Sequence, residues 1–128
     1  MNPKIGIILG SDSDYPHMEK GLAVLKEWEI PFEIEVSSAH RTPERTTKII
    51  RDFESSGIQV IIAAAGGAAH LPGVIAAQTL LPVLGVPMDS KLSGIDSLYS
   101  IVQMPGGIPV ATFGIGKSGC GDALFVYG

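Results

Sequence analysis

The chain has 128 residues, which is enough for one domain with a hydrophobic core and too few for two. Its 45% hydrophobic content excludes a disordered protein, and its net charge of −4 argues against a broad nucleic-acid binder. A single cysteine, the lack of a secretion signal and apolar runs well below the ~20 residues of a membrane span predict a cytoplasmic protein without a membrane partner.

The first half of the chain alternates predicted strands and helices. Residues 4–9 form a β-branched apolar run that predicts a buried strand, and residues 16–28 carry apolar side chains at helical spacing. Residues 31–37 alternate apolar and acidic side chains, which is typical of an edge strand. A capping threonine followed by a proline predicts a second helix from residue 42 to about residue 57.

The second half continues this alternation. Residues 60–65 are uniformly apolar and predict a central parallel strand. A helix at 71–79, a strand at 82–86, a helix at 93–102 and a strand at 109–114 follow. Such alternation predicts a three-layer α/β fold, an open parallel sheet with helices on both faces. Right-handed crossovers favour the flavodoxin-like strand order 2-1-3-4-5 in one domain.

Charge is distributed unevenly along the chain. Twelve of the sixteen glycines but only five of the 22 charged residues lie after Ala65. A domain of this size cannot bury half of its residues in its own interior. Either the half of the chain after Ala65 supplies strands in the middle of the sheet together with loops, or other copies of the chain cover part of the surface of this half. We favour the homo-oligomer because large apolar surfaces seldom stay exposed.

Three segments rich in glycine or polar residues follow the first three predicted strands, at residues 10–14, 37–41 and 65–70. The carboxyl ends of neighbouring parallel strands lie at one edge of a sheet. Ligands bind at this edge, at the point where the strand order reverses direction. We therefore expect the three segments to line one crevice.

The first of these segments is a candidate phosphate site. The hydroxyls of Ser11 and Ser13 and the backbone amides of a helix N-terminus all favour an anion. Asp14 has a second interpretation as a simple helix cap. Asp12 and Asp14 have the spacing of a metal-binding pair, but no further acidic ligand stands out, so we expect no metal.

The other two segments each carry a histidine. A neutral imidazole can donate and accept a proton near neutral pH, which makes His40 and His70 candidate proton carriers. Arg41 could hold a phosphate or a carboxylate. Either histidine could instead only cap nearby backbone. Together, the segments favour a domain that binds a small phosphorylated ligand and uses histidine chemistry. Cys120 has no base beside it, so we do not expect it to act as a nucleophile.

Five motifs give the chain a resemblance to a known family. They are GSDSD at 10–14, SAHRTP at 38–43, AGGAAHLPG at 65–73, PVLGVP at 82–87 and a long match at 92–112. From residue 4 to about residue 119, the chain resembles the class I N5-carboxyaminoimidazole ribonucleotide mutases of purine synthesis, the catalytic subunit family of phosphoribosylaminoimidazole carboxylase. SAHRTP followed by GGAAHLPG is highly specific.

The resemblance implies a flavodoxin-like fold, a homo-octamer, and neither metal nor cofactor. It implies an isomerase that moves a carboxylate from the exocyclic nitrogen of an aminoimidazole ribonucleotide to ring carbon C4. Decarboxylation in a closed pocket would be followed by recarboxylation at carbon, with His40 as the proton carrier for both steps.

The resemblance also implies which side chains meet the ribonucleotide. Ser11 and Arg41 would lie near the phosphate, and Asp14 near the ribose hydroxyls. His70 would orient the substrate rather than carry the proton. The implied site comprises two catalytic histidines and ten substrate-binding residues: His40, His70, Ser11, Ser13, Asp14, Ser38, Ala39, Arg41, Gly66, Gly67, Ala68 and Leu71.

The chain departs from the family after Gly119, where the family continues through an Ala-rich segment into a long final helix. We expect residues 1–128 to form a single domain without that helix, and residues 120–128 (CGDALFVYG) to form no helix of ordinary length. Two alternatives to the mutase are a class II carboxylase that uses CO2 directly and a degenerate nucleotide-binding module without turnover. The sequences of the two histidine motifs, SAHRTP and GGAAHLPG, favour class I.

Overall fold

A computed structural model describes residues 2–127 of the chain. Its five strands form one sheet in the order β2-β1-β3-β4-β5, and all neighbouring strands are parallel. The strands are β1 (Ile5–Leu9), β2 (Phe32–Val36), β3 (Val60–Ala65), β4 (Val83–Pro87) and β5 (Ala111–Thr112). The predicted flavodoxin-like order is therefore confirmed, as are the edge position of β2 and the central position of β3.

Within the described residues, five α-helices and a short 3-10 helix (Asp12–Asp14) connect and cover these strands. The α-helices are α1 (Tyr15–Glu27), α2 (Pro43–Ser55), α3 (Leu71–Ala76), α4 (Ile95–Val102) and α5 (Lys117–Tyr127). Within residues 2–127, no helix has the length and apolar character needed to cross a bilayer. The expectation that residues 120–128 form no helix of ordinary length is wrong, because α5 has eleven residues.

One face of the sheet is covered by α1 and α5. Leu22 and Leu25 of α1 share a buried cluster with Cys120, Ala123 and Leu124 of α5. The spacing of these α5 residues places them on one side of a helix. Glycines make α5 a poor helix by intrinsic propensity, so its packing against α1 and the sheet stabilises a conformation that the local sequence does not favour.

The other face of the sheet carries α2, α3 and α4. Phe53 of α2, Ile75 of α3 and Ile101 of α4 belong to a second buried cluster on this side. A Cβ at Gly6 would lie 2.5 Å from Phe53 Cε2, so the phenylalanine ring rests directly on β1. Because both faces are covered, all six residues of β3 are buried, and this explains the uniformly apolar run at residues 60–65.

Several element boundaries differ from the prediction. Helix α4 begins at Ile95 rather than at residue 93, because Ser93 and Gly94 have left-handed backbone φ angles of 59° and 82°. Helix α3 ends at Ala76 rather than at residue 79. Strand β5 has two residues instead of six, and Pro109 has no amide hydrogen to contribute to a longer ladder.

Candidate active site

A cavity of about 480 Å³ lies at the carboxyl ends of the strands. Residues from the loops after β1, β2, β3 and β4 line it, so the three predicted segments meet in one crevice and a fourth segment joins them. Eleven of the twelve predicted site residues line this cavity: His40, His70, Ser11, Ser13, Asp14, Ser38, Ala39, Gly66, Gly67, Ala68 and Leu71. Arg41 is exposed and is not among the lining residues.

The two histidines of the cavity are in direct contact. The distance between His40 Nε2 and His70 Nδ1 is 2.8 Å, and the rings meet edge to face with their centroids 4.9 Å apart. At this distance one nitrogen donates and the other accepts, so the pair holds one proton between the two rings. The loops after β2 and β3 are therefore joined through the groups best suited to move a proton.

Buried hydroxyl groups shape the loop that carries His40. Ser37 Oγ lies 2.7 Å from Thr46 Oγ1, and both residues are buried. Thr42 Oγ1 donates to the Ser38 carbonyl at 3.1 Å, and the Arg41 amide donates to Ser38 Oγ at 3.1 Å. Thr42 stands at the predicted capping position of α2, but its hydroxyl bonds this loop and not the helix. The loop after β2 is thus fixed from beneath by α2.

The loop that carries His70 is a series of tight turns. Gly67 has a left-handed φ of 64°, a conformation that glycine adopts without steric cost. The Ala69 amide donates to the Gly67 carbonyl, and the His70 amide donates to the Ala68 carbonyl, both at 2.8 Å. The Gly67 amide donates to Ser97 Oγ of α4 at 2.9 Å. Ser97 lies within the helix predicted at residues 93–102, but the sequence does not reveal this contact. The available signal was a serine four residues before the apolar Ile101.

A fourth wall of the cavity comes from residues 88–91 and Asp96, which sequence reasoning also missed. The signal was present, because β4 ends at the same edge of the sheet as β1 to β3. The Ser90 hydroxyl donates to the Asp96 carboxylate and accepts from the Gly94 amide at 3.0 Å. Lys91 is the single lysine or arginine among the described residues that line the cavity.

The segment after β1 forms a polar turn at the start of α1. Ser11 Oγ lies 2.9 Å from Ser13 Oγ and accepts the Ser13 amide at 3.3 Å. Asp14 is buried and stands at the N-cap position of α1, as its second interpretation has it, but its side chain makes no capping hydrogen bond. Burial raises the pKa of Asp14 above its ordinary value, and the Ser11 amide and His17 partly oppose this shift. No group of three His, Cys, Asp or Glu within residues 2–127 is arranged to hold a metal ion.

Comparison with known proteins decides the family. A profile described as AIR carboxylase matches residues 4–126 of the chain. The chain belongs to the AIR carboxylase family. Members of this family that carry the name N5-carboxyaminoimidazole ribonucleotide mutase include proteins from Pyrococcus abyssi, 63% identical over 114 residues, and Mycobacterium tuberculosis, 55% identical over 125 residues. The family resemblance predicted from the motifs is confirmed.

The matched regions make up most of this chain but a smaller share of each relative. The matched region is 88% of this chain and 66% of the Pyrococcus abyssi protein, and 97% of this chain and 72% of the Mycobacterium tuberculosis protein. The chain thus spans about two thirds of the length of the curated relatives that it matches. A crystal structure of Treponema denticola PurE has a TM-score of 0.80 and 27% identity, and covers 98% of this chain and 89% of that one.

Proposed function

We propose that the chain is an isomerase that interconverts N5-carboxyaminoimidazole ribonucleotide and 4-carboxy-5-aminoimidazole ribonucleotide in purine synthesis. The observation that carries this proposal is the 2.8 Å contact between His40 and His70 in a cavity lined by serines and glycines. The curated relatives named as this mutase support it. No metal or cofactor takes part in the proposed reaction.

The proposed reaction needs one proton carrier that acts at two atoms. When the bond between the exocyclic nitrogen and the carboxylate carbon breaks, CO2 is formed and the nitrogen takes a proton from His40. Carbon C4 then forms a bond to the same CO2, and its hydrogen passes to His40 as a proton. An imidazole suits both steps near neutral pH. A pocket that excludes water keeps the CO2 beside C4.

His70 has a different role in this proposal. Its Nδ1 holds the His40 ring by the direct hydrogen bond, and its ring forms part of the wall against which the imidazole of the substrate would lie. Because one proton is shared between the two rings, a proton gained or lost at His40 changes the hydrogen bond to His70. His70 therefore orients the carrier and the substrate.

The remaining cavity residues bind the ribonucleotide in this proposal. The hydroxyls of Ser11 and Ser13 and the amides at the start of α1 receive the phosphate, and Arg41 closes over it from the rim. Asp14 accepts the ribose hydroxyls. The substrate base lies between the loops after β2 and β3, in contact with Ser38, Ala39, Gly66, Gly67, Ala68 and Leu71.

We further propose that the protein acts in the cytoplasm as a homo-oligomer, and that this oligomer is the octamer that the family resemblance implies. An exposed apolar stripe on and before α4 supports this assembly. Leu92 in the turn before α4 is exposed, and so are Ile95, Tyr99 and Val102 of α4, whose spacings of four and three residues place them along one side of the helix. Contact with a second copy would bury this stripe.

The test of the proposed function offers the purified protein the N5-carboxy substrate without ATP or bicarbonate. We expect rapid formation of the C4-carboxylated product, measured by its ultraviolet absorbance. Product formed only when CO2 and the unsubstituted ribonucleotide are supplied would identify a carboxylase of class II. Binding of the ribonucleotide by calorimetry without turnover in either assay would identify a non-catalytic module.

A further inference from the structure

The contact between Ser97 and Gly67 joins two elements that are 30 residues apart in the chain. Ser97 is fully buried on the side of α4 that faces the sheet. Its Oγ accepts the Gly67 amide at 2.9 Å. Among the described residues, this is the one bond from a backbone amide of residues 66–70 to a side chain of another element. The glycine turn is therefore attached to α4 at this point.

Helix α4 is itself fixed to the sheet. A Cβ at Gly85 of β4 would lie 2.6 Å from Ile101 Cγ2, so Ile101 rests against the bare backbone of the strand. Ser97 lies one helical turn before Ile101 and points to the same side. At its N-terminus, α4 is held by the bond from the Gly94 amide to Ser90 Oγ. Ser97 thus presents its oxygen from a rigid support.

The position of Gly67 determines the position of His70. Two consecutive turns, with bonds of 2.8 Å from Ala69 to Gly67 and from His70 to Ala68, leave little freedom between them. His70 Nδ1 then meets His40 Nε2 at 2.8 Å. Hydrogen bonds between nitrogens weaken beyond about 3.2 Å, so a shift of about 0.5 Å in the glycine turn would weaken the bond between the two rings.

We propose that Ser97 is a positioning residue, whose hydroxyl oxygen holds the glycine turn so that the His40–His70 contact is formed before substrate binds. The inference rests on the proposed function, because it assigns Ser97 to the site that would carry out that reaction. Ser97 acts through Gly67 and the two turns that follow it, and it touches neither imidazole.

The test compares Ser97→Ala with Ser100→Ala. Ser100 lies on the same helix, but its hydroxyl donates to the Asp96 carbonyl at 2.8 Å and has no contact with the glycine turn. We expect Ser97→Ala to lower kcat about tenfold, since a misplacement of about 1 Å costs up to about a hundredfold. We expect a much smaller change in KM. Ser100→Ala should leave both constants unchanged.

A second measurement separates positioning from turnover. Nitrogen NMR of the imidazole rings reports the tautomers and the pH titration of His40 and His70 in the protein without substrate. We expect both sets of signals to change in Ser97→Ala and not in Ser100→Ala. If the wild-type chain shows no mutase activity, the proposed function fails, while this measurement still decides the role of Ser97.

Two results would overturn the inference. One is a Ser97→Ala variant whose imidazole signals and kcat match those of Ser100→Ala, and the other is a change in KM alone. If Ser97→Ala does not fold, Ser97→Cys keeps a side chain of similar size with a weaker acceptor. It should shift the imidazole signals in the same direction by a smaller amount, and unaltered signals in this variant would equally overturn the inference.

Discussion

His40 is the residue on which the proposed reaction depends most. His40→Asn keeps a polar side chain of similar size but removes the group that accepts and releases a proton. We expect the variant to bind the ribonucleotide as tightly as the wild-type chain and to lose at least about 100-fold in kcat. Calorimetry and steady-state kinetics measure the two effects. His17→Asn is the control, since His17 does not line the cavity, and near-normal turnover of His40→Asn would remove His40 from its role.

Arg41 tests where the phosphate lies. If the guanidinium closes over the phosphate, Arg41→Ala should weaken ribonucleotide binding by about 1.5–3 kcal/mol, the range of a charge-assisted contact. Arg45→Ala is a matched control, because Arg45 pairs with Glu35 at 3.0 Å outside the cavity. Unchanged affinity in Arg41→Ala, together with weaker binding in Lys91→Ala, would instead place the phosphate beside the loop after β4.

Asp14 links the site to the pH dependence of stability. Its pKa is raised in the folded chain, chiefly because burial disfavours the charged carboxylate. The folded state thus binds this proton more tightly than the unfolded state does. The resulting stabilisation is complete below the unfolded pKa and is lost as the pH rises through the folded one.

We therefore expect Asp14→Asn to be more stable than the wild-type chain at neutral pH, with the difference vanishing in acid. Urea unfolding at several pH values measures this, and Glu19→Gln, on the exposed side of α1 and not among the charges that shift Asp14, serves as the control. A gain of equal size at neutral and acidic pH would contradict the assignment to burial of the charge.

Between elements, close packing at glycine decides how α4 sits on β4. A Cβ at Gly85 would lie 2.6 Å from Ile101 Cγ2 and 2.9 Å from Val110 Cγ1. We expect Gly85→Ala to lower the free energy of unfolding by about 1–3 kcal/mol through overpacking. Gly106→Ala adds its methyl group to open space and should change stability little. Urea unfolding of both variants tests this, and equal effects would show that the contact does not limit stability.

The strands and most helices follow from hydrophobic patterns in the sequence. Uniformly apolar residues 60–65 predict a central strand because both of its faces are covered, and alternating residues 31–37 predict the edge. The patterns fail where packing overrides local preference. Helix α5 contains glycines that disfavour a helix, yet it is stabilised by burial of Leu124 against α1. The start of α4 shifts because Ser93 and Gly94 adopt left-handed conformations that no periodicity reports.

The candidate site is likewise predictable from the sequence only in part. The sequence predicts twelve site residues in one crevice, because parallel strands end at one edge, and eleven of them line the cavity. The hydrogen bond between His40 and His70 and the support from Ser97 are not predictable from the sequence. Both depend on distances of a few tenths of an ångström between side chains on different elements, which spacing along the chain does not determine.

For the whole molecule, the apolar stripe on α4 makes the assembly testable. Tyr99 is 61% exposed at the middle of this stripe. If a second copy covers it, Tyr99→Glu places a charge in an apolar contact, and we expect smaller particles than the wild-type chain gives in light scattering. Ser55→Glu, on the exposed surface of α2, should leave the particle mass unchanged. A monomeric wild-type chain would refute the proposed assembly.

Cys120 can report on the local unfolding of α5 from the sheet. It is the chain's single cysteine, it is fully buried in α5, and burial together with the nearby Asp14 charge raises its pKa to about 11. A thiol reagent can modify it only when α5 lifts from the sheet, so the labelling rate measures the free energy of that local opening. Cys120 also contacts Met88 of the cavity wall. A ligand that tightens the cavity should therefore slow the labelling, which provides a binding assay that requires neither turnover nor an added chromophore.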